Sequence, residues 1–178
     1  MKIYLVRHGL TNYNVLGLSN SDPSKDVHLT KKGIEQAKKI AKKLEAVKID
    51  TIFVSELKRT SQTAEIIKSN RNILTEVDSR LNDVQTGFED QHYLVYHDAL
   101  DRVDNRWTVR FNDGESQEDL KKRVESFIRD LKKEKYQVVL IVTSMVIIQE
   151  FYAIIKQLTH EQAWNMPVPQ GSCIEVDL

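Results

Sequence analysis

A chain of 178 residues, 40% of them hydrophobic, is the size of one domain and can bury a core large enough to fold unaided. Lys+Arg and Asp+Glu both total 26, so no global field draws in nucleic acid or an anionic membrane, and the single cysteine, Cys173, rules out an intramolecular disulfide. No apolar run approaches the roughly 20 residues of a membrane-spanning helix and the N-terminus lacks the apolar core of a secretory signal, so the cytoplasm is the expected compartment.

The chain opens on Ile3-Tyr4-Leu5-Val6, an apolar run rich in β-branched and aromatic residues that predicts a buried parallel strand. It stops at Arg7-His8-Gly9. Arginine offers a planar fork of donors that fits phosphate, histidine is a nucleophile or proton carrier near neutral pH, and glycine lets the backbone approach a ligand closely. Chemistry at a strand's carboxyl end is the expected placement in an open α/β sheet. A polar loop without periodicity is expected from Thr11 to His28. A helix then follows with Thr30 as N-cap and Ile34, Ala37, Ile40, Ala41, Leu44 and Val47 as its apolar face, its lysines forming a solvated opposite face.

Thr51-Ile52-Phe53-Val54 reads as a second buried strand, with Ser55 as N-cap of the next helix and Arg59 about one turn in, where a helix N-terminus favours a phosphate. Residues 72–77 suggest a shorter strand near a sheet edge. Asp83 follows as a candidate proton donor in a turn, and residues 92–115 are aromatic and charged without a clean period, read as part of an insertion over the site at about 84–115 that determines substrate choice. Ser116, with Asp119 at the capping-box position, opens a helix whose buried face is Leu120, Val124, Phe127, Ile128 and Leu131. Val138 to Thr143 is the most apolar strand and is expected to be central. A nearly all-apolar helix follows at 146–158, then a short helix capped by Thr159 and a final strand near Cys173 to Val176.

The order of elements predicts an α/β fold, a mostly parallel central sheet with helices on both faces. Three stretches carry a family resemblance: Leu5 to Asn14 around Arg7-His8-Gly9, Leu29 to Ala37 with its Leu-Thr-x-x-Gly-x-x-Gln-Ala spacing, and Ser55 to Ala64 around Arg59. Together with Leu81-x-Asp83-x-x-x-Gly87 and Gly114-Glu115-Ser116, they resemble the histidine phosphatase superfamily, the phosphoglycerate-mutase-like proteins, over nearly the whole chain. The resemblance implies a metal-independent phosphomonoester hydrolase or mutase with no cofactor, acting on a phosphorylated small molecule. His8 would be the nucleophile and Asp83, where the family usually has a glutamate, the general acid; Arg7, Asn14 and Arg59 would hold the phosphoryl oxygens.

Two adjacent positions depart further from the family pattern. The family's second active-site histidine, in Ser/Thr-His-Gly, falls on Ser144 in Thr143-Ser144-Met145, with Met145 in place of the glycine. Serine still donates one hydrogen bond and can cap the next helix, but it is shorter and never cationic. An alternative expectation is therefore a protein of the same fold that binds phosphoesters with weakened or lost turnover.

Overall fold

The computed structural model describes all residues, 1–178. Five strands form one sheet: β1 (Lys2–Arg7), β2 (Thr51–Val54), β3 (Leu74–Val77), β4 (Val138–Thr143) and β5 (Cys173–Asp177), in spatial order β3-β2-β4-β1-β5. All neighbours run parallel except β5, which lies antiparallel to β1. β4 is central, as its apolar run predicts, and β3 is an edge strand with Leu74 and Val77 exposed.

Period-2 alternation on doubly buried strands explains how both faces are covered. Ile3 and Leu5 of β1 and Val139 and Ile141 of β4 point to one face. There they meet α5 (Gln117–Leu131) and α6 (Met145–Lys156) through Leu120, Val124, Phe127, Ile147 and Phe151. Tyr4, Val6, Leu140 and Val142 point to the other, against α2 (Lys31–Lys43) and α3 (Lys58–Lys68) through Ile40, Ala64 and Ile67. Each fully buried Leu, Ile or Phe contributes about 1.5–3 kcal/mol by leaving water. No helix is long and apolar enough to cross a membrane.

The register sets the site. Arg7 pairs with Thr143 across β1 and β4, and Val54 pairs with Val142 across β2 and β4, so the carboxyl ends of three adjacent strands finish level with one another. His8, Ser55 and Ser144 are the next residues of each. Two glycines allow α2 to close over this end: a Cβ on Gly33 would sit 2.2 Å from the Leu10 carbonyl oxygen, and one on Gly9 would sit 2.4 Å from the Gly33 oxygen. The glycine of Arg7-His8-Gly9 therefore serves a backbone contact with α2, not the approach of a ligand.

Three local expectations are corrected. The stretch expected as loop from Thr11 to His28 contains a short helix, α1 (Asn12–Leu16), held by a reciprocal capping box of Thr11 with Asn14 and stopped by Gly17 at φ 69°. Five residues are too few for periodicity to register. Ser55 does not cap α3. Its hydroxyl accepts from Leu57 N (3.3 Å) and pairs with Thr60 Oγ1 (2.9 Å), so the helix starts at Lys58 with Leu57 as N-cap and Arg59 as its second residue. The aperiodic segment after residue 92 contains a helix, α4 (Tyr93–Leu100), capped by His92. The remaining caps fall as expected: Thr30 accepts from Gly33 N, and Ser116 with Asp119 and Thr159 with Gln162 form capping boxes, the last opening α7 (His160–Trp164).

Candidate active site

His8 is 3% exposed, one residue beyond β1, and its backbone is fixed from two sides: His8 N donates to Thr143 O (3.1 Å) and Gly171 N donates to His8 O (3.3 Å). Gly9 N donates to Thr63 Oγ1 of α3, and Leu10 N donates to Gln36 Oε1 of α2, so both helices on one face pin the loop that carries the imidazole. The ring nitrogen Nδ1 lies 2.8 Å from the Gly9 carbonyl oxygen. A carbonyl only accepts, so Nδ1 carries the proton and the lone pair is on Nε2. Burial, with the Arg59 guanidinium beside it, pushes the imidazole's pKa down to about 3, which keeps it neutral at physiological pH.

Arg59 organises the floor of the site. Its Nε donates to His8 Nε2 (3.2 Å), Nη1 to Asn20 Oδ1 (2.8 Å), and Nη2 to the Asn20 carbonyl (2.9 Å) and to Asp83 Oδ2 (3.1 Å). One planar fork thus touches the nucleophile candidate, the acid candidate and the loop after α1. Asn20 is itself held by Glu89, whose carboxylate accepts from Ser21 N, Ser21 Oγ and, at 3.5 Å, Asn20 Nδ2.

Asp83 reaches this floor despite its short side chain because its turn is clamped from behind. Arg123 of α5 donates to the Asp83 carbonyl (3.3 Å) and the Arg80 carbonyl (2.6 Å) while paired with Glu115, and buried Thr143 Oγ1 donates to Leu81 O (2.6 Å). Asn82 and Glu56 exchange a further pair of bonds.

On the opposite side Arg7 donates through Nη1 to the Val168 carbonyl (2.5 Å) and lies 3.4 Å from Met145 Sδ; its buried Nε has no partner. Ser144 is 3% exposed at the N-cap of α6, yet its hydroxyl makes no capping bond and is also unpaired. The two unpaired buried groups stand at the ends of neighbouring strands, β1 and β4. The first amides of α6 add a positive end there. Arg7, Asn14, Arg59 and Asp83 all line a cavity of about 440 Å³, together with Tyr93, Tyr96 and His97 of α4 and Trp164 of α7.

An Arg-His strand end facing a second strand end and a buried arginine matches what comparison with known proteins finds. Residues 3–178 match the histidine phosphatase superfamily (branch 1). The chain belongs to this superfamily. It is 31% identical over its full length to the adenosylcobalamin/alpha-ribazole phosphatase of Escherichia coli, covering 90% of that protein. It is also 31% identical to the fructose-2,6-bisphosphatase of Saccharomyces cerevisiae, over 98% of this chain and 38% of that protein. Among solved structures it superposes on the alpha-ribazole phosphatase of Shigella flexneri with a TM-score of 0.88 at 32% identity, covering 100% of this chain and 91% of the other.

The fold brings all six residues named from this superfamily's pattern to one end of the sheet. His8, Arg59 and Asp83 are joined by direct hydrogen bonds, and Arg7 and Ser144 stand at the adjoining strand ends. Asn14 lines the cavity while its Oδ1 accepts from Thr11 N. Of the two histidines in the covering segment, His97 enters the cavity wall and His92 stays at the α4 cap. Sequence reasoning missed Asn20, Glu89 and Arg123. Nothing in their local sequence marks them, because their partners lie between 8 and 69 residues away.

Lys58 gives an internal control for Arg59. It sits on the outer side of α3, paired with Asp26 at 2.6 Å, while its neighbour is buried in the site. Arg59→Ala is expected to weaken vanadate or phosphate binding by about 10-fold to 100-fold, the range for losing a charged hydrogen-bonding partner. Lys58→Ala is expected to change it by less than about twofold. Equal losses in a titration calorimeter would show that only diffuse charge matters.

Burial of a neutral imidazole also makes a stability prediction. The unfolded chain protonates His8 near 6.5, whereas the folded chain resists to about 3, so between these values the unfolded state binds more protons and stability falls as pH falls. Between pH 6.5 and 5, above the range of most carboxylates, His8 steepens the loss by up to about 1.4 kcal/mol per pH unit. Urea unfolding of the parent and of His8→Asn across this window checks it. Parallel curves would show that His8 is not buried neutral.

Proposed function

We propose that this protein hydrolyses phosphate monoesters through a phosphohistidine formed at His8. The observation that carries the reading is the state of the imidazole. Nδ1 is tied to the Gly9 carbonyl, Nε2 holds a lone pair against Arg59, which lines the cavity, and the ring is neutral and buried. Arg59 Nε donates to that lone pair. An arriving phosphoryl group offers the guanidinium better acceptors and thereby frees Nε2 for in-line attack.

His8 Nε2 bonds to phosphorus as the ester P–O bond breaks. Asp83, entering as the carboxylic acid, gives its proton to the leaving alkoxide. Arg7, Arg59, Ser144 and the α6 amides hold the remaining phosphoryl oxygens, where charge accumulates in the transition state. Water then attacks the phosphohistidine, the Asp83 carboxylate takes its proton, and inorganic phosphate departs with His8 restored. Proton transfer depends on reach to about an ångström, and the Arg123 and Thr143 clamps supply what the missing methylene of aspartate takes away. Asn14, on α1, lines the same cavity and is proposed to help hold the phosphoryl oxygens. The phosphatase names of the relatives support hydrolysis of a phosphorylated small molecule.

The test is turnover of a simple phosphomonoester by the purified protein beside a His8→Ala control. Turnover that survives the substitution would remove the nucleophilic role. Anion binding without His8-dependent turnover in either protein would establish the alternative, a phosphoester-binding protein whose catalysis has been lost with Ser144.

A further inference from the structure

The cavity above the phosphoryl floor carries its own chemical information. At about 440 Å³ it falls within the size of sites that enclose whole small molecules, so the alcohol of the ester, and not the phosphate alone, is held inside. Its only guanidinium groups are Arg7 and Arg59, both at the floor, and no lysine lines it. Of the nearby cations, Lys25 is paired with Asp90, Arg106 with Asp101, Arg110 with Asp119 and Arg123 with Glu115, and Arg102, just beyond α4, does not line the cavity. Burial also lowers the pKa of His97, which keeps it neutral at physiological pH. A second carboxylate or phosphate on the substrate would meet no free positive charge in the wall.

The same wall is rich in rings. Tyr93 and Tyr96 meet His97 edge-on at 5.8 and 5.9 Å, His97 meets Trp164 at 5.6 Å, and Trp164 is braced from outside by Trp107 at 5.9 Å, itself stacked on His160 at 5.0 Å. Met145 and Val146 line the same cavity. The polar groups in the wall are uncharged. Gln117 Nε2 donates to Tyr96 Oη (3.1 Å), which leaves the tyrosine hydroxyl proton for a ligand, and Gln149 spends its Nε2 on the Trp164 and Met166 carbonyls, which leaves Oε1 as an acceptor.

We propose that the substrate is a phosphate monoester of an uncharged alcohol bearing a flat apolar ring, and that esters carrying a second anionic group are rejected. This rests on the hydrolytic reading above and adds to it the class of leaving group. Aromatic contact and burial favour the ring, and the cost of desolvating an unpaired anion rejects the rest.

Three esters of primary alcohols separate the contributions: benzyl phosphate, 4-carboxybenzyl phosphate and glycerol 3-phosphate. With the purified full-length chain, kcat/KM for benzyl phosphate should exceed that for each of the other two by at least about tenfold. Trp164→Ala and, independently, the more exposed Tyr93→Ala should shrink the benzyl-to-glycerol ratio severalfold. Val146→Lys should narrow the benzyl-to-carboxybenzyl ratio by placing a cation in the wall. Comparable kcat/KM for all three esters, with turnover intact, would overturn the proposal and leave the hydrolytic reading standing. If no ester is turned over, the hydrolytic reading fails. The substrate class is then read from calorimetry with benzylphosphonate and 4-carboxybenzylphosphonate, where equal affinities overturn it and a tenfold preference for the uncharged ring sustains it.

Discussion

His8→Ala is expected to lower kcat for a phosphomonoester by at least about 10⁴-fold, the scale seen when a covalent nucleophile is removed from a site whose groups act together. Arg7 and Arg59 stay in place, so phosphate should still inhibit competitively, with an affinity changed far less than the rate. That division separates a nucleophile from a group that merely helps to bind. Alanine also leaves Arg59 Nε without its partner at 3.2 Å and opens space in a buried site, so His8→Asn is the companion variant: it fills most of the volume and keeps an acceptor. Both variants should fall together. A rate within tenfold of the parent in either would remove the phosphohistidine from the mechanism.

Ser144→His is expected to act in the opposite direction, raising turnover by about 10-fold to 10³-fold, the range for one preorganised donor aimed at developing charge. The register places residue 144 level with His8 across the β1–β4 pair, and its hydroxyl is buried without a partner, so the present donor does not span the gap to any protein group. An imidazole reaches further and, when protonated, sets a positive charge against the transferring phosphoryl group. Met145 stands in the way. It lines the cavity and lies 3.4 Å from Arg7 Nη1, occupying room that the larger ring needs. Ser144→His alone risks overpacking at about 1–3 kcal/mol. The double change with Met145→Gly relieves the crowding and frees Arg7, at about 1 kcal/mol of helix propensity. Rates at saturating and limiting ester distinguish a gain in chemistry from a gain in binding. The gain must vanish when His8→Ala is added; a histidine at 144 that accelerates hydrolysis without His8 would be acting by another route.

Much of this architecture is written locally. Four-residue and six-residue apolar runs at 51–54 and 138–143, the amphipathic spacing of Leu120 to Leu131, and Thr30, Ser116 and Thr159 ahead of their helices all depend on contacts within a few residues. Where the local signal is short or ambiguous, reading it fails. The five residues of α1 are too brief for a period, and Ser55 looks like a cap because a serine follows a strand, although Thr60 claims its hydroxyl.

The sequence by itself determined the alternation of strands and helices, the Arg-His and arginine candidates at strand ends, the superfamily, and the departure at Ser144, because each is carried by neighbouring residues or by a fixed spacing along the chain. Only the tertiary structure decided that one guanidinium joins His8 to Asp83, that Asn20 and Glu89 orient it, that Gly9 makes room for α2, and that the wall around the leaving group is aromatic and without a free cation. The physical reason is chain closure. Arg59 meets Asn20 across 39 residues and His8 across 51, and Ser21 meets Glu89 across 68, so these bonds exist only once the strands have taken their order and register, and no local pattern encodes them.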